Sequence, residues 1–266
     1  MRVAPSKIAQ GFTLIELIAV LVILGIVASI GTTFLVTTLD MYNSTSERVA
    51  LIQRGRVTIE QMTRYLRDAV PNSVRVSSTG KCVEFLPAVS GGNYIATLPD
   101  SANGAAAINS TTTGAFYITS GSARYFLVGG LSSSDIYTSA TPSARVAIAS
   151  LTGTPYTGVT FSASRTFLRN SVNKRFYIAD YPMRFCLAGT QLLRYSNYGF
   201  STASLGDSDP GGSADVMADA INVTSSSFAL SAGSEDRNTS VAMTLALTKG
   251  TTRITLNHKV LVRNVP

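Results

Sequence analysis

Glu16 is the only charged side chain between Lys7 and Asp40, and it lies inside an otherwise apolar run. A carboxylate inside a membrane-spanning segment costs about 2.5–3.5 kcal/mol and usually has a partner. Gly11 separates a short basic leader from this run, so cleavage after Gly11 would remove the leader and expose a new amino group on Phe12. That amine would be a suitable partner for the Glu16 carboxylate.

Two further groups of residues could carry chemistry. Asp207 and Asp209, with Asp215 and Asp219 further along, could gather around calcium, but their spacing is not that of an EF-hand loop, and a polar loop is the favoured interpretation. His258 is the only histidine and falls on an apolar position of the last predicted strand, which predicts a buried core residue. No nucleophile elbow, Walker loop, zinc spacing or dinucleotide fingerprint is present, so the sequence predicts neither an enzyme nor a cofactor.

The apolar run over residues 12–39 is long enough to cross a membrane. As a helix it would measure about 42 Å, against a hydrocarbon core of about 30 Å. Arg2 and Lys7 precede it and favour a cytoplasmic N-terminus. We therefore expect residues 1–11 to be a leader, residues 12–39 to be a transmembrane helix, and the remainder to be exported.

The helix is expected to continue through residues 40–70, where there is no proline and Gly55 is the only glycine. Pro71 then ends it. Apolar residues recur at helical spacing, which predicts an amphipathic helix with one face buried against the body. The predicted stripe consists of Val49, Ile52, Ile59, Met62, Leu66 and Val70.

Residues 71–266 are predicted to form one β-rich globular domain, because the apolar period changes to two and turn residues become frequent. Loops are expected at 90–93, 101–114 and 206–213. The clearest pair is a C-terminal hairpin with its turn at Lys249 and Gly250, expected near the middle of the sheet. Other strands are predicted at 74–77, 82–85, 115–118, 125–128, 145–149, 175–179, 183–187 and 191–195. The predicted fold class is α+β, with a long N-terminal helix packed on a mainly antiparallel β-sheet.

The chain contains two cysteines, Cys82 and Cys186. In an exported body these would be oxidised to one disulfide, since such compartments favour that bond. Its loop of about 100 residues would contribute up to about 4.7 kcal/mol in the chain-entropy model. Two buried free thiols are the alternative.

The N-terminal segment resembles the type IV pilin family. The match consists of Lys7 followed by Gly-Phe-Thr-Leu-Ile-Glu-Leu-Ile from Gly11 onward. The resemblance implies cleavage after Gly11 by a prepilin peptidase, N-methylation of Phe12, and a role for Glu16 in assembly with the N-terminal helices of other pilins. It also implies insertion in the bacterial inner membrane with a periplasmic body, then transfer to a pilus at the cell surface.

Weaker similarities extend into the body. Residues 63–75 and 82–87, and the ending Asn264-Val-Pro, are similar to minor pilins of the mannose-sensitive haemagglutinin (MSHA) pilus. The helix end and the proline after it also resemble J-type minor pseudopilins of type II secretion. Many major pilins have a proline in the membrane helix, and residues 12–70 have none, which favours a minor subunit.

The net charge of the chain leaves one further class of function open. The net charge of +7 is spread over the chain without a dense basic tract. A basic surface can attract nucleic acid or acidic partners, although a solvated surface is the favoured interpretation. A tip subunit that binds glycans or single-stranded DNA through Tyr-rich loops is therefore a third alternative.

Overall fold

The computed structural model describes residues 11–201, 204–231 and 238–262. Arg2, Lys7 and the chain end at 264–266 lie outside this range. By its internal contacts the chain divides into two units, one ending at Ala50 and the other beginning at Leu51.

One long helix, α1, occupies Leu14–Arg67. Within the described residues it is the one helix that is long and apolar enough to cross a membrane, with a mean hydropathy of 2.7 over its most apolar window. None of that window is buried by the protein. The predicted long N-terminal helix is confirmed.

The body contains fourteen described strands, a short helix α2 (Ser133–Tyr137) and a 3-10 turn at Val223–Ser225. The strands are β1 Arg75–Val76, β2 Cys82–Phe85, β3 Ala88–Asn93, β4 Ile108–Phe116, β5 Tyr125–Leu127, β6 Arg145–Thr152, β7 Tyr156–Arg165, β8 Arg175–Ala179, β9 Met183–Ala188, β10 Gln191–Ser196, β11 Ser213–Ala218, β12 Ser227–Ser231, β13 Ser240–Lys249 and β14 Thr252–Leu261.

These strands form three sheets in which every strand pair is antiparallel. The first has the order β1-β2-β9-β10-β11, the second β12-β13-β14 and the third β3-β8-β5-β6-β7-β4. In the third sheet a bridge between Tyr94 and Thr113 links β4 back to the residue after β3, so the sheet curls towards closure. The predicted α+β class with a mainly antiparallel body is confirmed.

The body has two main hydrophobic cores. In the first, Leu51, Met62 and Leu66 of α1 pack against the first and second sheets. In the second, inside the curled sheet, Phe126 and Phe176 stack with ring centroids 4.9 Å apart among other aromatic residues. Each fully buried large apolar side chain contributes about 1.5–3 kcal/mol.

The buried stripe of α1 agrees with the predicted one at Met62 and Leu66, both fully buried, and differs from it elsewhere. Val49 is exposed, and the buried positions are Leu51, Gly55, Thr58, Met62, Thr63 and Leu66. Gly55 belongs to this stripe because helix and sheet approach closely: a Cβ there would overlap Leu256 Cδ1 and lie 3.2 Å from Leu247 Cδ1. A count of hydrophobic residues overlooks a small residue that faces the sheet.

The helix also ends earlier than expected, at Arg67. The chain beyond it pairs as an extended segment, with Val70 N–H donating to Leu86 O at 2.8 Å and Ala88 N–H donating to Asp68 O at 2.8 Å. These two hydrogen bonds hold the backbone at Asp68 and Val70 in an extended pairing, so the helix ends before Pro71.

One predicted loop, 90–93, is wrong, and a second, 101–114, is partly wrong. Residues 90–93 belong to β3, where the glycines fit packing instead of a turn: a Cβ on Gly91 would lie 3.0 Å from Phe176 O, and one on Gly92 would lie 3.2 Å from Phe176 Cε1. Residues 108–114 belong to β4, a polar Thr-rich strand whose sequence lacks apolar alternation. The eight strands predicted individually all overlap observed strands, and 82–85 and 175–179 have the predicted bounds.

The C-terminal hairpin forms at the predicted turn, where Gly250 has a φ of 56° as a tight two-residue connection requires. Its expected place is wrong for the last strand: β14 is the outer strand of the second sheet. His258 is exposed, so the predicted core histidine is also wrong. Ile254 and Val260 on the same face of β14 are buried, so the packing over this face does not extend to His258.

Candidate assembly segment and clusters of the body

Thr13 and Glu16 form a capping box at the start of α1. The Glu16 Oε2 atom accepts hydrogen bonds from the Thr13 backbone N–H at 3.1 Å and from the Thr13 hydroxyl at 2.9 Å. In return the Glu16 backbone N–H donates to Thr13 Oγ1 at 3.3 Å. This reciprocal arrangement satisfies backbone donors at a helix start, and it positions the Glu16 carboxylate next to the chain segment that carries Phe12.

The other carboxylate oxygen of Glu16, Oε1, has no hydrogen-bond partner among the described residues. It can therefore accept a donor from outside. The nearby Phe12 side chain is 78% exposed, and large apolar side chains remain exposed from there to Leu39. A surface of this kind needs lipid or other apolar helices to cover it.

Five hydroxyl side chains lie in the second half of the apolar run, and each is satisfied within the helix. Their hydroxyl groups donate to backbone carbonyls three or four residues earlier, at 2.8–3.4 Å; the residues are Ser29, Thr32, Thr33, Thr37 and Thr38. Polar groups in lipid must be satisfied internally, so these residues do not prevent the helix from entering a bilayer.

Residues 6–32 match the model of the prokaryotic N-terminal methylation motif. The N-terminal segment carries this motif. It indicates a type IV pilin-like or pseudopilin protein and suggests a structural subunit. Proteins with this motif are processed by a prepilin peptidase and assemble with other pilins. Comparisons with curated proteins and with solved structures find no match.

In the body, the side chain of Glu84 is buried between two arginines. Glu84 Oε2 lies 2.5 Å from Arg75 Nη2, and Oε1 lies 2.8 Å from Arg184 Nη2. The Tyr198 hydroxyl donates to Oε1 at 3.0 Å. The Glu84 side chain is 1% exposed, so this carboxylate ties β1, β2 and β9 to the segment after β10.

Both arginines of this cluster also donate to backbone carbonyl oxygens. Arg75 Nη2 donates to Ser201 O and Arg184 Nη1 donates to Ser208 O, both at 3.1 Å. Burial and then the charge of Glu84 raise the pKa of Tyr198, so its phenol stays protonated and remains a donor. Burial opposes the charge on Arg184, but its hydrogen bonds to Glu84 and Tyr198 and its attraction to both groups together outweigh burial, and the pKa of Arg184 is raised. The cluster is suited to hold segments together.

Cys82 and Cys186 are directly opposite each other on β2 and β9 and are joined by a disulfide, with their Cα atoms 4.2 Å apart. The two residues are separated by 104 positions in sequence. The bond lies beside the Glu84 cluster, because Glu84 and Arg184 are the cross-strand pair two positions away.

The four aspartates considered for calcium have separate partners. Asp207 accepts from Thr79, Asp209 from the Gly211 N–H, Asp215 from Arg194, and Asp219 pairs with Arg54. Within the described ranges, no three acidic, histidine or cysteine residues come together as a possible metal site. The structure therefore does not gather these carboxylates.

The roles of Thr13 and Glu84 were not predicted, although the sequence pattern around each residue indicates its role. Thr13 and Glu16 have the spacing of a capping box, a Thr followed three residues later by a Glu. Glu84 is a charge in the middle of an otherwise apolar strand, and buried charges are normally paired.

Proposed function

We propose that this chain is a minor pilin subunit of a type IV pilus, of the MSHA type. It is inserted in the inner membrane, cut after Gly11, methylated on Phe12 and then incorporated in the fibre or used to prime it. The proposed organisation is a leader at 1–11, a transmembrane and assembly helix at 12–39, an amphipathic helix at 40–70 and a periplasmic β-rich domain at 71–266.

The observation that carries the proposal is the methylation motif at the start of α1, where hydrogen bonds from Thr13 hold the Glu16 carboxylate. In a fibre built from packed N-terminal helices, the new amine of an incoming Phe12 meets the Glu16 carboxylate of a subunit already present. The unoccupied Oε1 is available for that amine, while Thr13 holds Oε2. A buried charge without its partner costs several kcal/mol, so this pairing selects one stagger between subunits.

The MSHA assignment is supported by the similarities at 63–75 and 82–87. A body too large to stack easily along a thin fibre supports the role of a minor subunit. A minor pseudopilin of a type II secretion system shares the same motif and is the second candidate. Neighbouring genes distinguish the two: a pilus ATPase with MSHA partners for one, and a secretin with secretion components for the other.

N-terminal mass spectrometry of sheared fibres tests the proposal. We expect a mature chain that begins at methylated Phe12. Glu16→Ala is expected to leave membrane insertion and cleavage intact and to remove the chain from fibres. Asp40→Ala, a charge removed just beyond the apolar run, is the matched control and should be incorporated normally. Retention of Met1, or normal incorporation of Glu16→Ala, would refute the proposal.

Deletion of loops in the body distinguishes the proposed minor pilin from the alternative of a tip adhesin or DNA-binding subunit. Fibre number and attachment are measured in parallel. Loss of attachment at constant fibre number would favour a tip receptor, whereas a parallel fall in both would favour a role in assembly.

A further inference from the structure

The outer side of β14 is a long strand edge. β14 pairs with β13 without a bulge, from Thr252 opposite Lys249 to Leu261 opposite Ser240. In the ranges that the structure describes, no strand pairs with its other side. A regular edge with backbone groups pointing outward is a template for an additional strand.

The register shows which residues present their backbone at this edge. Val262 N–H donates to Thr239 O at 2.8 Å, so this position faces β13. Because hydrogen-bonding direction alternates along an antiparallel strand, the odd-numbered residues direct their N–H and C=O groups away from β13. These residues are Arg253, Thr255, Asn257, Lys259 and Leu261, and none is a proline.

The charge of the edge restricts what can pair with it. Arg253 and Lys259 share the exposed face of β14, and among the described residues neither has an ion pair. His258 is exposed on the opposite face. Like charges on adjacent strands are destabilising and opposite charges are stabilising. A basic strand, or β14 of a second copy, is therefore disfavoured, and an acidic strand is favoured.

Apart from His258, the face towards α1 is apolar. Leu256 is half-buried there, and Ile52 and Ile59 of α1 are also half-buried against the first core. At about 100° per residue, both isoleucines lie about 120–140° around the helix from Tyr65. The Tyr65 hydroxyl contacts Arg194 of the first sheet, at 2.5 Å. The isoleucines therefore lie on the flank towards β14, where an added strand would cover them.

We propose that the outer edge of β14 is a docking site for an amphipathic acidic strand of another protein chain. The incoming strand would extend the second sheet, with carboxylates on the face of Arg253 and Lys259 and apolar side chains on the face of α1. This inference depends on the body alone and holds whether or not the chain is built into a pilus. Within a fibre, a neighbouring subunit would supply the strand.

The test uses the full-length protein in detergent and two labelled ten-residue peptides, one alternating glutamate with valine and the other alternating lysine with valine. We expect the glutamate peptide to bind at least about tenfold more tightly by fluorescence anisotropy, with an advantage that falls as salt screens the charges. Equal binding of the two peptides would overturn the proposal.

Two variants locate the binding. Asn257→Pro removes one outward N–H and leaves the β13 pairing intact, and should weaken the glutamate peptide about tenfold. Asn257→Ala keeps that N–H and should bind within about twofold of the native chain. Equal affinity of the two variants would place the peptide elsewhere and refute the docking site.

Reversal of both charges, Arg253→Glu with Lys259→Glu, should transfer the preference to the lysine peptide. This variant keeps every backbone donor, so it decides the question even if the proline variant does not fold. An unchanged preference would contradict the inference.

Discussion

Glu84→Gln is expected to destabilise the body strongly, because the substitution keeps the shape of the side chain and removes its charge. The side chains of Glu84, Arg184 and Arg75 are only 1%, 6% and 13% exposed. The variant leaves both guanidinium groups without their carboxylate in a place that water hardly reaches. The amide can accept a hydrogen bond through one oxygen only, whereas the carboxylate uses both oxygens for its three partners.

Removing one partner of a buried ion pair typically costs about 3–5 kcal/mol. For a domain of about 200 residues, each kcal/mol lowers the melting temperature by about 2–4 °C, so the expected fall is about 6–20 °C. This is a large part of the total stability of a domain, which is about 5–15 kcal/mol.

The assay is thermal and urea unfolding of the full-length chain in detergent under oxidising conditions, followed by near-ultraviolet circular dichroism. Glu60→Gln is the matched control, because Glu60 and Arg64 form an exposed pair at 3.7 Å with both side chains about three-quarters exposed. Exposed pairs contribute about 0–1 kcal/mol, so this variant should melt close to the native chain. A loss below about 1 kcal/mol for Glu84→Gln, or an equal loss in the two variants, would refute the reasoning.

Three further predictions concern the helix start, the disulfide and acid stability. Thr13→Val removes the hydroxyl donor to the Glu16 carboxylate but keeps the backbone donor, so mass spectrometry of sheared fibres should show partial incorporation, above that of Glu16→Ala; full incorporation would argue against positioning by the hydroxyl. Replacing both disulfide cysteines by serine should destabilise the body by up to about 4.7 kcal/mol in urea titrations, since the bond closes a long loop, and an unchanged midpoint would contradict this. Burial raises the pKa of Asp135, but hydrogen bonds, chiefly from Arg169, outweigh it and hold that pKa below 3.8. The stabilisation that ionised Asp135 gives the folded state is therefore present above about pH 4 and is lost as the pH falls through the folded pKa. Asp135→Asn should flatten the dependence of melting temperature on pH below about pH 5. The same pH dependence in the variant and the native chain would contradict this role of Asp135.

Much of the fold could be predicted from local patterns. The long apolar run, the change of period after Pro71 and the alternation in the C-terminal hairpin are each properties of neighbouring residues, and each produced the expected element. The glycines at 91 and 92 could not be interpreted this way. In most sequences such a pair marks a turn. Here both glycines lie so close to Phe176 on the neighbouring strand that there is little room for a side chain.

The sequence by itself determined the helix start, because Thr13 and Glu16 are three residues apart and cap the first turn of an apolar helix through local hydrogen bonds. Only the tertiary structure decided where the body's charges lie. Glu84 and Arg184 are 100 residues apart and meet because β2 and β9 pair, whereas His258 is exposed although Ile254 and Val260 on the same face of β14 are buried. Both outcomes depend on the packing of the whole body and not on the residues that flank either position.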